Sequence, residues 1–206
     1  PSLLRGLAGS AKAAIGLKDN PDFASLAEAP RTIFNANVTP QRRVATQATS
    51  LARMKTIGEA AGGSINDVLL AACSAALRRY LGEIDKLPKK SLICSIPVAL
   101  PRDADGTGGN AISFANVKMG TDVADVRERF DLIRRSSAAG REYLKQMSGT
   151  ALIDYTVLIS SPQILTRIPG VGARVPPSYN VIISNVPGPR QKLYFMGAEM
   201  EAYYPI

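Results

Sequence analysis

Two short polar groupings hold the residue types and spacing that could do chemistry. Ser184 and Asn185 end the apolar run Val181-Ile182-Ile183, and Pro187-Gly188-Pro189 stops it abruptly. Asn66 and Asp67 open a strongly apolar helical pattern. A carboxamide both donates and accepts hydrogen bonds, so it can orient a base or steady a negative oxygen forming in a reaction. A strand end that delivers polar side chains into a rigid turn is a common way to build a site wall. Each grouping also has an ordinary reading. A strand-to-turn junction needs no function, and Asp67 in a helix's first turn favours the dipole. None of the 206 residues is a histidine. A histidine base, if one is used, lies outside them.

Other chemistries are excluded in turn. Gly106-Thr107-Gly108-Gly109-Asn110 lacks the Lys-Ser/Thr ending of a phosphate loop and reads as a turn. Ser74 and the other serines have no nucleophile-elbow setting and no histidine to activate them. Asp103, Asp105, Asp122 and Asp125 are not spaced like a calcium loop. Cys73 and Cys94 fall in apolar patterns and read as buried free thiols in a reducing compartment, with no metal site. The net charge of +8 and a pI near 9.7 favour an anionic partner such as phosphate groups or an acidic membrane surface. The basic residues are scattered as Arg42-Arg43, Arg78-Arg79, Lys89-Lys90 and Arg134-Arg135, and no nucleic-acid-binding motif accompanies them. Nucleic acid is not expected as a partner.

The elements that must position these groups can be read from periodicity. Leu3, Leu4, Leu7, Ala11, Ala14 and Ile15 form one stripe of a basic amphipathic helix over residues 1–18. That stripe could lie on an anionic membrane or pack against another domain. Pro21, Pro30 and Pro40 then punctuate an extended crossover linker, and Arg42 to Thr49 could be a strand entering a new domain. Ser50 caps a helix running to about Ala61. Ser64 starts the next in a capping box, with Asp67 in the glutamate's place. Strands are expected over Ser91 to Leu100 and Ala111 to Met119, and an amphipathic helix from Val123 towards Met147. Thr150 to Ile168 is apolar all round if helical, with Pro162 breaking it, and so is buried or borders something apolar. The run at Val181 reads as a strand buried on both faces, followed by strands over Lys192–Met196 and Glu199–Tyr204. The irregular alternation predicts an α/β fold with a mixed sheet. No apolar run approaches the roughly 18 residues of a membrane span, and both ends read as cut from a longer protein.

In order along the chain, Thr32–Asn35, Arg42-Arg43, Ile65–Ala71, Ala75–Leu81, Gly108–Asn110, Asn180–Pro189, Leu193–Gly197 and Tyr204-Pro205 resemble the C-terminal half of the bacterial wax ester synthase/diacylglycerol acyltransferase family. The Ser184–Pro189 element is the most specific of them. The resemblance implies a chloramphenicol-acetyltransferase-like mixed sheet with packed helices, this chain being the second domain of a two-domain acyltransferase. Residues 1–41 would be the amphipathic helix and crossover linker, and 42–206 the C-terminal domain, truncated at its end.

The implied reaction moves a fatty acyl group from acyl-CoA to a long-chain alcohol or a diacylglycerol. Acyl-CoA is then a substrate, and no cofactor is expected. The family's histidine motif belongs to its N-terminal half, so the N-terminal half of the same protein becomes an expected partner. Asn66 and Asn185 would support catalysis, Asn66 on a helix facing the cleft and Asn185 beside it. Asp67, Ser184, Pro187 and Gly188 would meet substrate. The expected location is cytoplasmic, peripheral to a membrane or lipid inclusion. The alternatives are a non-catalytic lipid-binding module, or another superfamily member such as a condensation domain.

Overall fold

A computed structural model describes residues 20–25, 28–36, 39–99, 112–147, 149–165, 175–189, 191–202 and 204. The expected helix over 1–18 and the turn around Gly106 lie outside the described residues.

Helix α1 (Leu51–Ala60) starts where Ser50 accepts the Arg53 amide at 3.3 Å. Helix α2 (Ile65–Glu83) starts in the predicted capping box. Ser64 accepts the Asp67 amide, and the Asp67 carboxylate accepts the Ser64 amide at 2.8 Å and hydroxyl at 2.7 Å. Helix α3 (Val126–Lys145) is capped by Asp125, which accepts the Arg127 and Glu128 amides. Those bonds hold the Asp125 carboxyl below its ordinary range, that from Glu128 contributing most.

Helix α4 (Gly149–Leu165) runs through Pro162 instead of breaking there. Proline inside a helix costs about 3 kcal/mol. Burying Leu152, Tyr155 and Ile159, which share one stripe, offsets that cost. The opposite side of α4 leaves Ile153 and Val157 exposed. Its apolar character is thus half core and half surface.

Strands β1 (Ile93–Ala99) and β2 (Ile112–Lys118) pair antiparallel, with Ile93 opposite Lys118 and Ala99 opposite Ile112. Strand β3 (Val181–Ile182) joins β1 in parallel, and the order is β2-β1-β3. The sheet is therefore mixed. Because side chains alternate along a strand, Cys94, Ile96, Ala115 and Val117 share one face. They meet Leu70 and Leu81 of α2, Ile133 and Leu144 of α3, and the α4 stripe in the main core.

The other face, bearing Ile93, Ser95, Asn116 and Lys118, is covered by no helix among the described residues. The segment around residues 21–35 covers it instead. Ile93 clusters with Ala24, Ala29 and Tyr179, while the Lys118 ammonium bonds to the Pro21 carbonyl at 2.7 Å and pairs with Glu28 at 3.0 Å. The linker is thus a packed element, tethered by a 3₁₀ turn at Ile33–Asn35.

Three sequence expectations differ. Arg42 to Thr49 forms no strand and is exposed throughout, because no neighbouring strand lies beside it among the described residues. Ile182 is 55% exposed, so β3 is an edge strand and is not buried on both faces. The last strands shrink to a hairpin of β4 (Tyr194–Phe195) and β5 (Ala198–Glu199). Its two-residue loop, Met196-Gly197, takes φ of 51° and 86°, as a hairpin turn twisted to match its strands requires.

No single described helix is long and apolar enough to cross a membrane. Only α1 and α2 together, bent by 96° between them, pass that test of length and composition.

Candidate functional site

The predicted strand end is built from its anchor outward. Asn180, just before β3, is nearly fully buried. Its amide N–H donates to the Ile93 carbonyl at 2.8 Å, and its side-chain oxygen accepts the Ile93 N–H at 2.9 Å. Its side-chain nitrogen donates to the Pro30 carbonyl at 2.6 Å and to Asn35 Oδ1 at 2.8 Å. Asn35 returns a bond from its own nitrogen to the Tyr179 carbonyl at 3.0 Å. One asparagine pair therefore ties the linker, the start of β1 and the start of β3 together.

Above that clasp, Ile183 donates its amide to the Ser95 carbonyl at 3.1 Å, and the chain then leaves the ladder towards the carboxyl end of β1. Ser184, Asn185, Pro187 and Gly188 are all exposed on this exit turn. The Asn185 side chain has no hydrogen bond to a described residue. Val186 beside it is 77% exposed, so the turn presents free amide chemistry next to apolar surface.

The second grouping sits elsewhere. Gly63, just ahead of α2, lies so close to the Phe130 ring of α3 that a Cβ would meet it at 2.7 Å. Phe130 is six residues ahead of Ser136, whose hydroxyl accepts the Lys118 amide opposite the first residue of β1. Farther along α3, Gly140 lies against Ala115 and Asn116, so the helix runs back along β2 from its carboxyl end. The start of α2 therefore lies beyond the amino end of β1, whereas Asn185 leaves at the other end. These contacts do not bring Asn66 and Asn185 together.

Asn66 is half-buried. Asp67 is 2% exposed, one oxygen committed to Ser64 and the other without a partner. A buried carboxylate turned into its own helix start is poorly presented to a substrate. Replacing Asp67 by alanine is expected to cost about 1–3 kcal/mol, since it strips the acceptor from the Ser64 amide and hydroxyl. Thermal denaturation measures it; an unchanged melting temperature would refute the capping role.

The thiols offer no nucleophile. Burial pushes Cys94 up to about 12, with Cys73 nearby adding to the shift, and burial raises Cys73 as well. Both remain thiols near neutrality. Among the described residues, no cluster of acidic or cysteine side chains could hold a metal ion. The Asn35–Asn180 clasp is what sequence reasoning missed as a network, although both residues fall in the quoted motifs. The available signal was asparagine, a residue depleted in strands, directly before a β-branched run.

Comparison with known proteins agrees with this architecture. Residues 1–69 match the wax ester synthase/diacylglycerol acyltransferase catalytic domain, and residues 108–206 match the C-terminal domain of the same family. The chain belongs to the wax ester synthase/diacylglycerol acyltransferase family. A putative diacylglycerol O-acyltransferase of Mycobacterium tuberculosis is 40% identical over 178 residues, covering 86% of this chain and 40% of that protein. The O-acyltransferase WSD of Acinetobacter baylyi is 37% identical over 186 residues, covering 90% of this chain and 40% of that protein. The solved wax ester synthase/diacylglycerol acyltransferase from Marinobacter aquaeolei superposes with a TM-score of 0.71 at 30% identity, covering 98% of this chain and 43% of that one. The chain thus spans about two fifths of the length of these relatives.

The matches correct three expectations. The chain is not only the C-terminal half of the wax ester synthase/diacylglycerol acyltransferase sequence, because its first 69 residues match the catalytic domain. The fold is accordingly not merely the second domain of a two-domain enzyme. Nor is catalytic-domain sequence supplied by a separate N-terminal partner, since it and the C-terminal domain are joined in this same chain. The histidine motif does not mark this catalytic-domain match, because residues 1–69 hold no histidine.

Proposed function

We propose that the protein carrying this chain transfers a fatty acyl group from acyl-CoA to a long-chain alcohol or a diacylglycerol. The observation that carries this reading is the ordered match of one chain to the catalytic and C-terminal domains of a single acyltransferase family. In such a transfer the alcohol oxygen attacks the thioester carbonyl while a base removes its proton. The carbonyl oxygen becomes an oxyanion, which collapses to expel the CoA thiolate. No histidine is among these 206 residues, so a histidine base is not one of them.

Asn185 would donate to the oxyanion or orient the base, with Ser184, Pro187 and Gly188 forming the wall beside substrate. Its exposure at a strand exit held by the Asn180 clasp supports this role. For Asn66 the burial of Asp67 next to it supports service to the α2 start. Ile153 and Val157, one helical turn apart and exposed, would line the acyl or alcohol channel. The domain division would fall at residue 41. Peripheral association with a membrane or lipid inclusion fits the basic charge and the apolar, bent α1–α2 pair.

The test is thiol release from palmitoyl-CoA by the purified full-length protein, with hexadecanol or a diacylglycerol as acceptor and the ester product identified. Thiol release that no acceptor stimulates would overturn the transfer reading.

A further inference from the structure

Ser95 on β1 and Asn116 on β2 are cross-strand partners on the face covered by the linker, and each is 1% exposed. Asn116 donates its side-chain nitrogen to the Ser178 carbonyl at 3.0 Å. That bond fixes the amide's orientation, because turning it over would set two oxygens against each other. Its oxygen is then left without a partner, and so is the Ser95 hydroxyl. Buried polar atoms are nearly always hydrogen-bonded, so two orphans on directly opposed residues need a common explanation.

Opposed residues of an antiparallel pair have Cβ atoms about 4.5–5.5 Å apart. The two oxygens are not bonded to each other, and that spacing leaves room for one small molecule to bridge them. We propose that a single internal water occupies this gap, accepting from the Ser95 hydroxyl and donating to Asn116 Oδ1. Two neutral oxygens are a poor cage for a cation, and full burial of both side chains shuts out a larger ligand. The water joins β1 to β2 beside Ser178, whose hydroxyl donates to the Ile159 carbonyl of α4. With the Asn35–Asn180 clasp it completes a polar layer beneath the approach to β3. The proposal does not depend on acyl transfer.

Ser95→Ala gives a test by sign. If the gap is dry, the hydroxyl is an orphan, and removing it leaves the melting temperature unchanged or raises it. If the water is present, the variant loses its anchor and strands Asn116 Oδ1, and the melting temperature should fall by about 2–4 °C. High-resolution diffraction from the unaltered protein supplies the independent reading. A spherical density peak about 2.6–3.1 Å from both oxygens supports the site. An empty gap, or a Ser95→Ala variant as stable as its parent, overturns it.

Discussion

Asn185→Ala should lower kcat by about 10²-fold or more while leaving the melting temperature close to that of the parent protein. The rate loss follows from removing an amide donor aimed at a developing oxyanion. The unchanged stability follows from the structure: Asn185 is exposed and has no described hydrogen-bond partner, and Pro187 and Pro189 stiffen the turn without it. Both quantities should be measured on the same preparation of full-length protein. A variant that melts normally and turns over normally would remove Asn185 from the site. Asn66→Ala is the control, because its position beyond the amino end of β1 predicts a change in stability with turnover per folded molecule retained.

Asn180→Ala should have the largest effect on folding, about 3 kcal/mol or more of lost stability. It leaves the Ile93 N–H and the Pro30 carbonyl without their partner in a buried place, each orphan costing about 1–3 kcal/mol, and it takes one of the donors from Asn35 Oδ1, which keeps Thr32. Asn180→Asp sharpens the test. The aspartate keeps the acceptor for Ile93 but, when ionised, turns an oxygen towards the Pro30 and Asn35 oxygens. Only its protonated form can donate there, so its folded pKa is raised above the unfolded value. The stability of this variant is then fullest below the unfolded pKa and is lost as pH rises through the folded one. Chemical denaturation at acidic and neutral pH, each against the parent protein, should show a larger deficit at neutral pH. An equal deficit at both would mean that position 180 does not face those oxygens.

Local rules carried much of the fold. Ser50, Ser64 and Asp67 announced two helix starts, because capping depends on residues only a few positions apart. The periodicity of Phe130 and Ile133 marked α3, and β1 and β2 stood out as β-branched and apolar runs. The expectations that failed concern neighbours. Whether Arg42–Thr49 becomes a strand depends on a second strand beside it, and whether Ile182 is buried depends on what covers the edge of β3. Neither is encoded within the segment itself.

The candidate site divides in the same way. The sequence by itself determined the polar strand end at Ser184-Asn185, the capping pair Ser64–Asp67, the absence of histidine from these 206 residues and the family resemblance, since all are properties of residue order. Only the tertiary structure decided that Asn66 and Asn185 lie towards opposite ends of β1. It alone turned a proline-punctuated linker into the cover of one sheet face. It also joined Asn35 to Asn180 across a separation of 145 residues. The physical reason is that caps and periodicity act within a few residues, whereas the geometry of a site is set by buried hydrogen bonds and packing between segments that share no local signal.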